Sequence, residues 1–179
     1  MGVPIGDEEL RYGEPPLVNM TLIALNTVLF IVGVLAPWLL VPGASSYYHV
    51  ILELGVIPAF IVNGERLYTL VTSMFLHGSL VHLLGNMLYL YIFGDNIEFV
   101  MGRLRYAIFY LVSGVIAALT HVLVTVAWSP QDMYIPAVGA SGAISGVLGA
   151  YMLLFPYGRV RVIAFWGWIP MLLSLPAIM

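Results

Sequence analysis

Apolar residues in this chain neither alternate with polar ones nor keep to one stripe of a helix; they come in long runs separated by short polar breaks. A bilayer core of about 30 Å takes about 20 apolar residues of helix. Five runs approach or reach that length, at 22–41, 80–94, 104–128, 137–155 and 162–179. Each predicts a membrane-spanning helix, the second being short and interrupted by His82 and Asn86. The connection 42–79 is too apolar for a solvated loop, holding Tyr47, Tyr48, Val50, Ile51, Phe60 and Ile61 with breaks at Gly55 and Pro58. Short helices lying in the interface, with tyrosines at headgroup depth, are expected there. No repeat or low-complexity tract is visible, so the fold class is an all-α, polytopic membrane bundle.

Composition agrees. Of 179 residues, 61% are hydrophobic and 8% charged, against about 45–50% apolar and about 25% charged in a soluble domain. A water-soluble domain is excluded. The six basic residues are all arginine and nine residues are acidic, for a net charge of -3, so nucleic acid is not an expected partner. Without cysteine there is no disulfide, thiolate nucleophile or thiolate-bound metal.

Arginine placement sets the expected orientation, because cationic loops stay in the cytoplasm. With five alternating spans, Arg11, Arg103, Arg105, Arg159 and Arg161 share one side and only Arg66 lies opposite. The N-terminus is then cytoplasmic. Residues 1–19 carry Asp7, Glu8, Glu9 and Glu14 and lack the basic start of a cleavable signal, so they read as a solvated tail before a membrane domain at 20–179.

Polar side chains within a bilayer are costly and mark function or helix-to-helix hydrogen bonds. In the second span His82 and Asn86 are four residues apart, hence on one helix face, with His77 just before the helix. The fourth span opens with Gly139-Ala140-Ser141-Gly142. Gly142, Gly146 and Ala150 form a small-residue ridge that close packing alone would explain. Packing does not demand Ser141 at a helix start, where free N–H groups favour a developing oxyanion. The second and fourth spans both run inward, so Ser141, His82 and Asn86 share the outer depth. A hydroxyl with converging donors is what acyl transfer needs. The segment lacks the last glycine of the G-x-S-x-G elbow and follows no strand, which excludes a soluble esterase of that kind.

His77-x4-His82-x3-Asn86 in a second span, with Gly139-Ala140-Ser141-Gly142 opening a fourth, resembles the rhomboid intramembrane serine proteases. Gly94-Asp95-Asn96-Ile97-Glu98 followed by Gly102-Arg103-Leu104-Arg105 is similar to the loop and third-span entry of prokaryotic members. The resemblance implies a six-span fold, five spans being present here. It makes Ser141 the nucleophile of a Ser-His dyad and His82, Asn86 and the Ser141 N–H an oxyanion hole. His77, Gly139 and Gly142 would support the site, and the outer loop would lie partly in the membrane beside it. The implied substrates are single-pass transmembrane proteins, and the implied setting is the plasma membrane of a prokaryote. No cofactor or metal is implied.

Three departures qualify the likeness. The family's histidine base lies on a sixth span, whereas this chain stops at Met179 inside an apolar run. By itself it is expected to be inactive unless a separate segment supplies that base; His121, in the outer half of the third span, is a weak substitute and His49 an interfacial residue. Tyr68-Thr69 stands where many members carry Trp-Arg, with Arg66 out of register. Ser145 replaces a tyrosine that packs on the base in some members. The competing expectation is an inactive rhomboid-like protein that binds transmembrane helices. A transporter would show two related halves, and none are visible.

Overall fold

The structure is a computed structural model that describes residues 2–7, 15–166 and 169–177. Its helices are α1 (Leu17–Leu35), α2 (Tyr47–Leu54), α3 (Pro58–Val62), α4 (Thr69–Thr72), α5 (Leu80–Met101), α6 (Arg103–Trp128) and α7 (Ser141–Leu154). Three strands, β1 (Gly2–Asp7), β2 (Arg159–Trp166) and β3 (Ile169–Pro176), form one antiparallel sheet in that order. Helices α1 and α6 are long and apolar enough to cross a membrane. Residues Thr69–Phe75 and α5 together make a third apolar unit, bent by 92°, and α7 is a shorter apolar helix of 14 residues. The protein is thus a helical membrane bundle.

Local chemistry sets the boundaries. Pro37 follows Ala36 and ends α1, because proline pushes its predecessor out of helical geometry. Ser79 begins α5 by accepting the His82 N–H on its hydroxyl at 3.2 Å. Gly102, at φ +77°, makes the sharp reversal between α5 and α6 that a side chain would resist. The core is filled by Leu83, Met87, Leu90, Phe93 and Ile97 of α5 against Tyr106 and Tyr110 of α6 and Ile144, Val147 and Tyr151 of α7. The small-residue ridge of α7 lies on α6, where a Cβ on Gly142 would meet Ala117 and one on Gly146 would meet Ser113. That contact lets the two backbones approach closely.

Three expectations change. The second span does not stop at Gly94: α5 continues to Met101, so Gly94–Glu98 is helix rather than loop. Its polar residues are held from within. Glu98 accepts the N–H groups of Val18 and Asn19 at 3.0 and 2.7 Å, capping the start of α1. The Asn19 amide donates to Leu90 O, and the Tyr106 hydroxyl donates to Asn19 Oδ1 at 2.8 Å.

In place of the fifth helical span expected at 162–179, the described residues of this run build β2 and β3. Val160, Val162 and Ile163 are β-branched and favour strands, while Pro170 and Pro176 would break a helix interior at a cost of about 3 kcal/mol. Finally, part of the expected solvated tail is ordered. β1 pairs with β2, and buried Asp7 accepts hydrogen bonds from the Asn96 amide at 2.8 Å and the Tyr151 hydroxyl at 2.9 Å. Glu8, Glu9, Arg11 and Glu14 lie outside the described residues.

Candidate active site

The site begins with a backbone constraint. Gly139 has φ +132° and donates its N–H to Ser73 O at 2.9 Å. A Cβ at this position would lie 2.8 Å from both Cε1 and Nε2 of His82, and 3.8 Å from the Asn86 amide nitrogen. Conformation and space therefore both require glycine here. The same distances show that His82 and Asn86 converge on the chain two residues before Ser141. Their spacing of four residues in α5 supplies that convergence, since i and i+4 share a face.

Ser141 is the first residue of α7, and no side chain caps the helix. The N–H groups of its first turn have no intrahelical acceptor and carry the positive end of the helix dipole. The Ser141 side chain is exposed and lines a cavity of about 210 Å³. His121 of α6, Ser73 and the small residues Gly114, Ala117 and Gly142 share its wall. Among the described residues, the Ser141 hydroxyl makes no hydrogen bond to a histidine. His49 sits in α2, where its backbone N–H donates to Ser46. No cluster of three or more His, Asp or Glu that could hold a metal ion occurs among the described residues.

Two buried groups around His82 and Gly139 lack partners: the Asn86 amide nitrogen, 3.8 Å from a Cβ at Gly139, and both nitrogens of the His77 ring, which packs on His82. His77 is fully buried, its ring meeting that of His82 edge-on at 5.1 Å between centroids. Unpaired donors in a dry site normally cost about 1–3 kcal/mol each. Such groups are available to a ligand without first breaking a protein hydrogen bond.

The outer loop is stitched to the segment that delivers Ser141. Val56 and Ala137 exchange backbone hydrogen bonds of 3.0 and 2.8 Å, and Ala59 N–H donates to Met133 O. Arg66 holds the loop at its other end. Its guanidinium donates to Leu52 O at 3.1 Å, lies 3.4 Å from Glu53 and covers the Phe60 ring at 4.5 Å. Tyr68 and Thr72 donate to the carbonyls of Glu53 and Leu54. Hence the loop is fastened despite the Tyr68-Thr69 departure. Ser145 donates to Ser141 O within α7 at 2.8 Å and faces away from the core.

Sequence reasoning missed Ser73 and Val56, which act through their backbone groups, and Tyr47, whose hydroxyl serves the backbone of His77. Only the i, i+4 pair and the glycine-flanked serine carried a signal that a sequence can show.

Comparison with known proteins places the chain in a family. The Rhomboid domain family model matches residues 64–179, and the chain belongs to the rhomboid family. It is 34% identical over 92 residues to "RHOMBOID-like protein 6, mitochondrial" of Arabidopsis thaliana, covering 51% of this chain and 28% of that protein. It is 37% identical over 91 residues to the human "Presenilin-associated rhomboid-like protein, mitochondrial", covering 51% and 23%. The Bacillus subtilis protein named "Putative rhomboid protease YdcA" is 35% identical over 94 residues, covering 52% and 44%. The aligned region thus spans less than half the length of each of these relatives.

Proposed function

We propose that this protein is a serine endopeptidase of the rhomboid type, which hydrolyses peptide bonds in the transmembrane segments of single-pass membrane proteins. The observation that carries the reading is the convergence of His82 and Asn86 on Gly139, two residues from a serine that opens a helix. Ser141 Oγ attacks the scissile carbonyl carbon and its proton passes to a base. The carbonyl oxygen becomes an oxyanion that His82, Asn86 and the Ser141 N–H stabilise. Collapse expels the amine, which takes the proton from the base; water then attacks the acyl-enzyme and frees Ser141. His77, Gly139 and Gly142 hold the frame. The base is a histidine, on the sixth span that the resemblance implies or on a separate segment. The proposed setting is a prokaryotic plasma membrane, with the arginine-rich end of the bundle in the cytoplasm.

The test is intact-mass analysis after fluorophosphonate treatment, on the 179-residue chain and on the protein carrying its natural downstream sequence, with Ser141→Ala as control. One adduct on the extended protein, absent from Ser141→Ala, is expected. An adduct on the short chain as well would mean that Ser141 is activated there by His121 or by a partner segment. Absence of labelling in both would replace the protease reading with that of an inactive, helix-binding rhomboid-like protein.

A further inference from the structure

His82 is held from one side by Gly139 and from the other by His77, and what holds His77 is not its ring. Both of its ring nitrogens are buried without a partner. The residue is instead gripped through its backbone by a single hydroxyl. Tyr47 donates its O–H to His77 O at 2.9 Å and accepts the His77 N–H at 3.1 Å. One side chain therefore satisfies both polar backbone groups of a residue that lies in the break between the two arms of a 92° bend. Those groups would otherwise be orphaned at the start of α5.

Tyr47 is itself fixed. Its ring meets Phe30 of α1 edge-on at 5.5 Å. Against α1 it occupies the space a side chain at Gly33 would need, since a Cβ there would lie 2.5 Å from Tyr47 Cε2. Burial raises the Tyr47 hydroxyl above its ordinary value, so it stays protonated and can donate and accept at once. A continuous set of contacts thus runs from the α1 wall through Tyr47 and His77 to the ring of His82.

We propose that Tyr47 is a positioning residue: by clamping the backbone of His77 it fixes the ring against which His82 packs, and so sets the direction in which His82 faces the Ser141 region. The inference rests on the reading of His82 as a donor to the substrate carbonyl oxygen. Its physical basis is that donors act only when aimed where charge develops, so a small rotation of His82 lowers turnover while substrate binding on other surfaces survives. Tyr47→Phe keeps the ring and its packing and removes only the clamp.

The experiment uses the protein with its natural downstream sequence, in liposomes, with a fluorogenic transmembrane peptide and active sites titrated by fluorophosphonate. Tyr47→Phe is expected to lower kcat per titrated site by about 10- to 100-fold, with KM changed less than about twofold. The loss is expected to vanish in a His82→Ala background, because Tyr47 acts through that ring. Gly33→Ala, which displaces the Tyr47 ring, is expected to reproduce the loss. An unchanged kcat, or a loss equally large without His82, would overturn the proposal. A parallel readout does not depend on catalysis: in the 15N-histidine spectrum, Tyr47→Phe should move the His77 and His82 ring signals and leave His49 and His121 in place. If the wild type neither labels nor cleaves, the protease reading falls, and static His82 signals would then dispose of the clamp as well.

Discussion

Two sets of buried polar side chains in the bundle are treated in opposite ways. At the arginine-rich end Glu98, Asn19, Tyr106, Asp7, Asn96 and Tyr151 form hydrogen bonds to one another and to helix ends, at distances of 2.7–3.0 Å. At the serine end the Asn86 amide nitrogen and both His77 ring nitrogens are buried with no partner. A satisfied network in a low-dielectric interior fixes one geometry and has nothing left to offer a ligand. An unsatisfied cluster lowers stability and keeps donors ready. The contrast separates a staple from a candidate site more sharply than residue type does, because asparagine occurs in both sets.

Substitutions can break that contrast. The largest effect is expected at the staple: Glu98→Ala strips the acceptor from two N–H groups of α1, and two hydrogen bonds to a charged group are together worth about 3–6 kcal/mol. Reversible unfolding in mixed micelles should show this loss, with activity falling only as far as the folded fraction falls. A variant of wild-type stability would mean that Glu98 is not what anchors α1. Asn86→Ala should do the reverse, lowering turnover about 10- to 1,000-fold while leaving the unfolding midpoint equal or higher, because it removes an unpaired group. A clear drop in midpoint, with turnover per folded molecule preserved, would reassign Asn86 to structure. The smallest effect is expected at Ser145→Ala. This hydroxyl returns to its own helix, so stability should change by less than about 0.5 kcal/mol and turnover less than twofold. A large effect there would show that the site extends further along α7 than Gly142.

The same contrast explains what a reader of the sequence could see. His82 and Asn86 were legible because helical periodicity alone places i and i+4 together, and α5 does form. Ser141 was legible because small residues preceding an apolar run mark a helix start. Their meeting at Gly139 was not, since it depends on how α5 and α7 cross. The run 162–179 shows the limit from the other side. Its hydropathy suits a membrane helix, but two prolines disfavour a helix interior and the β-branched residues favour strands once β1 is there to pair with β2. Tyr47 carried no sign at all, because a hydroxyl that serves the backbone of a residue 30 positions away leaves no spacing to recognise.

By itself, then, the sequence determined that this is a membrane protein with apolar helices, and which polar residues share one face of α5, because both follow from transfer energy and helical period. Only the tertiary structure decided which polar groups are satisfied and which stay open, where the chain turns to strand, and what holds His82 in place. Those outcomes rest on hydrogen bonds between residues 30 to 144 positions apart, and such bonds form only when the whole chain has settled which elements face each other.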